Sequence, residues 1–350
     1  MSVSQLNIHS FRNIHQAKLT LHPSFNVFYG ANGSGKTSLL EAIYLLSAGY
    51  SFKTRETLPL VRYGERHLTV YARTFGDETI SLRKIISGPT QVKLNTHSCR
   101  NNSMLARFIP CQVFYQDIFQ IIDSGPSVRR SLMDWGVFHV KHEYHELWRN
   151  YRQVLKQRNA LLRQRPNRNN ILPWDRQLVE LAKGLDQLRQ DYFKEWQLAF
   201  QLYISQLSDI ECTINYYRGW RDNGKDLDVI LEEQFAADCQ RQYTQSGAHQ
   251  ADIRFETINA SAKQGLSRGQ QKIILIALKL AQGHLLKKNC IYLFDDITAE
   301  LDIHHVRQLM RCLNDVKGQK ILTVLDKESL HSALDSIDVQ YYHLKQGIVV

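Results

Sequence analysis

No run of about 18 apolar residues occurs in this 350-residue sequence, which excludes a membrane-spanning helix. The opening stretch, MSVSQLNIHSF, has neither a charged nor an apolar leader segment, so no secretion signal is expected. Cysteine is scarce. Six residues stand apart at 99, 111, 212, 239, 290 and 312, none in C-x-x-C spacing, which points to a reduced, cytoplasmic protein with isolated packed thiols. No long heptad run occurs, which excludes an extended coiled coil. Negative charge is short as well: 34 Asp and Glu stand against 44 Lys and Arg, a net charge of +10. That balance suits a polyanion such as nucleic acid, and equally a merely basic soluble enzyme. The apolar fraction of 43% supports a core in one large domain or two smaller ones.

The stretch that organises the chain is GANGSGKT, Gly30 to Thr37. Its G-x-x-x-x-G-K-T spacing is that of a phosphate-binding P-loop. Three glycines, Gly30, Gly33 and Gly35, let the backbone turn so that successive N–H groups, from Ala31, Asn32 and Ser34 onward, face a phosphate. Lys36 reaches the β- and γ-phosphates of ATP, and Thr37 offers a hydroxyl to Mg²⁺. SFNVFY before the loop reads as a buried strand, and TSLLEAIYLLSAG after it as an apolar helix.

Around this centre, 6–14 and 17–22 alternate as a hairpin with a turn between them. The runs 67–74, 78–86 and 90–96 alternate as a small antiparallel sheet, and 109–115 reads as another buried strand. Gln116 follows that strand. From about Ile118 to Asp209 the pattern is helical, with one helix over Gly125–Phe138 and an amphipathic stripe of Leu147, Tyr151, Val154, Leu155, Leu161 and Leu162. His139 to Asn170 holds eight Lys or Arg against two Asp or Glu. This reads as a phosphate-backbone surface, with Arg149, Arg152, Lys156 and Arg163 as candidates, or as a solvated helix face. RPNRNN ends the stretch, and a second long helix is expected from Trp174 to about Leu207. His139, His142 and His145 read as a basic helix face rather than a metal site. Residues 209–220 return to strand, 226–243 to helix, 247–252 to loop and 253–259 to strand.

Two later motifs complete the pattern. In LSRGQ, Ser267 and Gly269 open a helix over Gln270–Gln282, whose N-terminus suits a γ-phosphate. In NCIYLFDD an apolar strand ends in Asp295 and Asp296, the Walker B pattern, followed by TAELD. These motifs resemble those of ABC-type ATPases. The resemblance implies that Ser267, Gly269 and Gln270 contact ATP on a second copy, that TAELD crosses the dimer interface, that Asp295 holds Mg²⁺ through water, and that Asp296 is the general base. It also offers Gln116 a role on Mg²⁺ and the attacking water, although a polar strand end reads equally well. The next strand, KILTVL, carries Thr323 and then Asp326 where transporters carry a histidine, which argues for slow hydrolysis.

Taken with FRNI (11–14), SFKT (51–54) and GPSVRRSLMDWG (125–136), these motifs resemble the RecF family of bacterial repair ATPases along nearly the whole chain. The family's G-P-H-R-D-D segment stands here as GAHQAD (247–252), without its Pro and Arg. The resemblance implies an α/β, ABC-type head of mixed sheet plus added antiparallel sheet, formed by 1–117 and 265–350, with a mainly helical second lobe over 118–264 bearing a short helical hairpin. It implies a cytoplasmic, ATP-dependent homodimer that binds double-stranded and gapped DNA, hydrolyses ATP weakly, and acts with RecO and RecR in loading RecA, with roles in replication and the SOS response. Two other readings are a transporter ATPase subunit and a nucleotide-dependent scaffold without hydrolysis. The missing histidine and the roughly 150 residues between Gln116 and Ser267 weigh against the transporter.

Overall fold

The structure is a computed structural model that describes all residues except 1, 100, 116–123, 221–223, 258–259, 262–265, 300 and 335–336. The chain divides into two compact units. One comprises Met1–Ile118, Ser205–Ser208 and Leu286–Val350, and the other Phe119–Ile204 and Asp209–Leu285.

The first unit holds two sheets. Strands β1 (Val3–Phe11), β2 (Ile14–Thr20), β4 (His67–Thr74), β5 (Thr79–Ile85), β6 (Gln91–Leu94) and β7 (His97–Ser98) form an antiparallel sheet in the order β2-β1-β4-β5-β6-β7. The hairpin turn falls at Arg12–Asn13, earlier than the sequence pattern suggests. Phe11 and Ile14 are both buried, so the chain must reverse between them, and Arg12 takes a left-handed φ of 50° to do so. Strands β3 (Phe25–Tyr29), β8 (Cys111–Phe114), β12 (Cys290–Phe294), β13 (Gly318–Val324), β14 (Val339–Lys345) and β15 (Ile348–Val349) form the second sheet, ordered β15-β14-β3-β13-β12-β8. All its pairs are parallel except β14–β15.

Helix α1 (Lys36–Ala48) packs against strands of both sheets. That position explains its composition: Leu39, Leu40, Ala42, Ile43, Leu45 and Leu46 are all at most 1% exposed and cover more than half of the helix circumference, and Glu41 is buried on the remaining side. Helix α2 (Asn102–Phe108) is capped by Asn101, whose side chain accepts from Ser103 N at 3.0 Å.

The second unit carries α3 (Pro126–Val140), α4 (Tyr144–Leu162) and most of α5 (Arg168–Leu207). It also holds α6 (Leu227–Glu233), α7 (Phe235–Arg241), α8 (Arg268–His284) and a small sheet ordered β11-β10-β9, from β9 (Cys212–Tyr217), β10 (Asp252–Thr257) and β11 (Ala260–Ser261). Helix α5 starts at Arg168, not Trp174, with Pro173 inside it. Asn167 starts it, its side chain accepting from Asn170 N at 3.1 Å. The run 226–243 breaks at Gln234 into two short helices. GAHQAD contains one 3₁₀ turn, Ala248–Gln250. The three histidines straddle the α3–α4 junction, so they share no single helix face. Helix α8 is longer than expected and belongs to this unit, not to the first: Trp196 Nε1 donates to Leu278 O (2.9 Å) and Gln282 Nε2 to Leu132 O (2.7 Å).

This unit is tied by buried arginines. Arg158, fully buried, donates through Nε to Asp175 (2.6 Å) and through Nη1 to Asp238 (2.8 Å) and Thr244 (2.7 Å). Arg189, also fully buried, donates to Asp134 (2.9 Å) and to Ala248 O (2.6 Å). Arg158 therefore leaves the candidate DNA surface, whereas Arg149, Arg152, Lys156 and Arg163 are exposed.

Two outcomes follow. Arg158→Ala leaves the buried Asp238 without its cation and Asp175 with Arg168 alone, and is expected to cost roughly 3–5 kcal/mol, whereas exposed Arg152→Ala stays within about 0.5 kcal/mol. Urea midpoints measure both, and equal midpoints would contradict the account. Lys320, inside β13 and 2% exposed, donates to Val316 O. Burial pushes its pKa down to about 8, against the pull of Asp315. The folded chain therefore releases this proton near pH 8, while the unfolded chain keeps it to the ordinary value of 10.5. Between those values the unfolded state binds more protons, so stability rises with pH. Lys320→Met should stabilise the protein by at most roughly 3 kcal/mol below pH 8 and lose that advantage by about pH 10.5. Denaturation at pH 7 and pH 10 checks it, and an advantage that ignores pH would contradict it.

Candidate nucleotide-binding site

The site is built at the C-terminal ends of parallel strands, where β3 feeds the loop 30–35 and β12 ends in two acids. The loop backbone is fixed by bonds to its surroundings. Gly30 N donates to Leu325 O (3.1 Å), Ser34 N to Ala31 O (3.1 Å), and Gly347 N to Ser34 O (2.8 Å).

The sequence pattern gives Gly30, Gly33 and Gly35 one shared role, whereas the structure separates them. Gly30 has φ +154°, and a Cβ there would lie 2.2 Å from Leu344 O, so no side chain fits. Gly33 is exposed and has φ +78° with open space around it. Gly35 is buried, and it is the residue from which α1 starts, with a left-handed φ of +111° and no side-chain cap. A Cβ on Gly35 would lie 3.2 Å from Asn13 Nδ2, tighter than ordinary contact. Its carbonyl accepts from Leu39 N at 3.0 Å. Gly35 thus serves the entry into the helix and the close approach of Asn13 as well as the turn of the loop.

Lys36 opens α1 and folds back over the loop. Its Nζ donates to Gly30 O and, at 3.1 Å, to Ala31 O. Burial pushes its pKa down from the usual value, and the charges of Asp296 and Asp295 pull it back up. Thr37 Oγ donates to the Asp295 carboxylate at 2.9 and 3.0 Å. The two motifs, far apart in sequence, thus meet at one point.

Thr323 braces the acids from the neighbouring strand. Its Oγ accepts from Asp296 N (2.8 Å) and lies 3.2 Å from Asp295 Oδ1. Asp296 takes a left-handed φ of 51°, which turns the chain off the strand line just after Asp295. Gln116 and Glu300, the latter inside TAELD, fall outside the described residues. Ser267 caps α8: its Oγ accepts from Gln270 N (3.3 Å), and Gln270 Oε1 accepts from Ser267 N (2.9 Å). Arg268 starts this helix, and Gly269 lies in its first turn.

The motifs FRNI and SFKT acquire definite work here. Asn13 Nδ2 donates to Gly33 O (3.1 Å), and its Oδ1 accepts from Ser38 Oγ (2.9 Å), so one side chain ties the loop to α1. Glu41, 1% exposed, pairs with Arg12 through two contacts (Nε–Oε2 2.6 Å, Nη2–Oε1 2.7 Å) and accepts from Ser51 Oγ. Ser51 Oγ in turn accepts from Lys53 N (2.9 Å), which shapes the loop after α1. A lone acid in an otherwise apolar helix was the available signal for Glu41.

GPSVRRSLMDWG and GAHQAD are likewise two halves of one contact within the second unit. Arg129 donates through Nε and Nη2 to Asp252 (2.8 and 2.9 Å), and Arg130 donates to Ala251 O (2.7 Å). His249 lies 2.7 Å from Tyr151 OH through Nδ1 and 3.0 Å from Thr244 O through Nε2.

Gly30→Ala is expected to displace the loop from Leu344, lowering ATP affinity at least tenfold, about 1.4 kcal/mol. Gly33→Ala meets only backbone strain, a folding cost of about 1–2 kcal/mol, and should lower ATP affinity less than Gly30→Ala does. Titration with a fluorescent ATP analogue compares them, and equal losses would contradict the packing argument.

Residues 2–348 match the family model of the RecF/RecN/SMC N-terminal domain. The chain is 37% identical to the DNA replication and repair protein RecF of Shewanella baltica (strain OS223), over 100% of this chain and 99% of that protein. It is 36% identical to the protein of the same name from Pseudomonas syringae pv. syringae (strain B728a), over 99% and 97%. Among solved structures it resembles the recombination mediator protein RecF-ATP in the RecFOR pathway, with a TM-score of 0.83 at 23% identity, covering 100% of this chain and 97% of that one. It also resembles the SmcHead bound to the C-winged helix domain of ScpA, with a TM-score of 0.64 at 16% identity, covering 100% and 96%. At such identities the structural matches establish the fold, an α/β head of the ABC type.

Proposed function

Since the chain belongs to the RecF family, we propose that it is an ATP-dependent DNA-binding protein of recombinational repair and replication. It dimerises on DNA at gaps, hydrolyses ATP weakly in the cytoplasm, and acts with RecO and RecR in loading RecA. The observation that carries this reading is the meeting of Lys36, Thr37, Asp295 and Asp296 at one loop. The antiparallel sheet and the roughly 150 residues between Gln116 and Ser267 favour it over a transporter subunit.

The residues divide the work by their chemistry. The loop N–H groups of Ala31, Asn32, Gly33, Gly35, Lys36 and Thr37 hold the phosphates, Gly30 and Ser34 shape the loop through their bonds to Leu325 O and Ala31 O, and the Lys36 side chain balances the charge of the β- and γ-phosphates. The Thr37 hydroxyl and Asp295 carboxylate form the oxygen donor set that Mg²⁺ requires, Asp295 acting through water. Bound there, Mg²⁺ neutralises charge on the phosphate oxygens. Asp296 orients the attacking water and accepts its proton, and Gln116 assists at the same water. Arg149, Arg152, Lys156 and Arg163 meet the DNA backbone, which carries no base specificity.

Ser267, Gly269 and Gln270 serve the γ-phosphate of a second copy. The Ser267 side chain is exposed, and because its oxygen accepts from Gln270 N, its own proton is left to donate outward. Two copies then share two composite sites in an isologous dimer, and ATP favours the closed dimer through differential affinity.

Mixing variants tests this directly. Lys36→Arg and Ser267→Arg should each lower turnover at least a hundredfold while leaving the fold intact. An equal mixture should recover about a quarter of wild-type turnover, since half of random dimers are mixed and each keeps one intact composite site. No recovery, or normal turnover in either variant alone, would contradict the shared site. Hydrolysis that survives Asp295→Asn would remove Asp295 from it.

A further inference from the structure

The second unit contains a pocket of about 1060 Å³ whose described lining residues all belong to that unit. One wall is α5, where Gln190, Phe193, Lys194 and Gln197 recur on one helix face at i, i+3, i+4 and i+7. The other wall is the edge strand β9 and the turn that follows it, from Asn215 to Trp220. Gln197 Nε2 donates to Ile214 O (2.9 Å) and Gln201 Nε2 to Cys212 O (2.9 Å), so α5 satisfies the first part of this edge. Beyond Ile214 the edge opens into the pocket.

Among the described residues, Lys194, Arg218 and Arg254 line it and no carboxylate does. Two of these cations lie against aromatic rings: the Arg254 guanidinium is 3.8 Å from the Tyr217 ring centre, and that of Arg218 is 5.0 Å from the Trp220 ring. Arg254 also stands opposite Asn215 in the β9–β10 register. Cations alone would suit any acid. Planar guanidinium–ring faces beside side-chain amides suit a ligand with both a flat aromatic part and an anionic part, which is the chemistry of a nucleotide. The volume takes one nucleotide with its flanking phosphates.

We propose that this pocket is a second nucleotide site, separate from the P-loop, which takes one unpaired nucleotide of a DNA strand. It rests on the reading of DNA as the partner and adds how a gap is told from a duplex: only an unpaired base is free to leave its stack and enter. Tyr217 and Arg254 stack on the base, while Lys194 and Arg218 meet the phosphates.

The test uses the full chain with ATP, on a fully paired duplex and on the same duplex with a short gap carrying 2-aminopurine. The wild type should bind the gapped DNA roughly tenfold more tightly and quench the 2-aminopurine. Tyr217→Ser with Arg254→Gln, both at exposed side chains, should abolish the quenching and bring the two affinities together, with ATP affinity unchanged as the check on folding. Quenching and gap preference that survive in the variant would overturn the pocket assignment while leaving DNA as the partner. Failure of the wild type to bind either DNA would overturn both readings. Free dAMP that competes as strongly as the gap, in the wild type alone, would make the ligand a free nucleotide rather than a strand. A poly-glutamate peptide that competes in the same way would make it an acidic protein segment.

Discussion

The hydrogen bond from Thr37 to Asp295 joins residues 258 positions apart, and much of the first unit exists to make it possible. Thr37 is the second residue of α1, and Asp295 is the first residue after β12. Their distance is set by the parallel pairing of β3, β13 and β12 and by the packing of α1 against both sheets. An interior of this density transmits small errors, so a shift of α1 by one side-chain volume would separate the hydroxyl from the carboxylate. The broad apolar surface of α1 is thus a requirement of the site as well as of the core.

Glu41 shows how the same helix is held at the right depth. A buried carboxylate is costly unless paired and hydrogen-bonded. Arg12 from the β1–β2 turn and Ser51 from the loop after α1 supply those partners, so three separate segments are fixed by one charge. Asn13, next to Arg12, then holds the P-loop itself. The turn that leads into β2 is therefore bound to α1 through Arg12 and to the nucleotide loop through Asn13.

Much of this was legible in the sequence where the signal is local. The P-loop glycines, the strand SFNVFY, the antiparallel runs at 67–96 and the acids after β12 all announce themselves within a few residues. What was not legible depends on partners far along the chain. The glycine pattern does not reveal that Gly35 is buried against Asn13, because that neighbour comes from the β1–β2 turn. Arg158 sits in a run of basic residues and looks solvated, yet Asp175 and Asp238 draw it inside. NRNN followed by Pro173 looks like a loop, yet the Asn167 cap and the pairing of Arg168 with Asp175 carry α5 through it. The likeness of GPSVRRSLMDWG and GAHQAD to family motifs could be seen in each segment, but their mutual bonding could not, because Arg129 and Asp252 are 123 residues apart. In the sequence Thr323 stands out only as the absence of a histidine, whereas its hydroxyl bonds the main chain at Asp296 and reaches Asp295.

In the proposed mechanism, ATP joins two copies through the P-loop of one and Ser267 of the other, and the joined form binds DNA. The most direct measurement is molecular mass by sedimentation, with DNA affinity in parallel, under ATP, ADP and no nucleotide at two salt concentrations. The account predicts a dimer of twice the 40.7 kDa chain mass with ATP alone, and DNA binding that weakens steeply as salt rises. A chain that stays monomeric with ATP, or binds DNA equally in all three states, would contradict it.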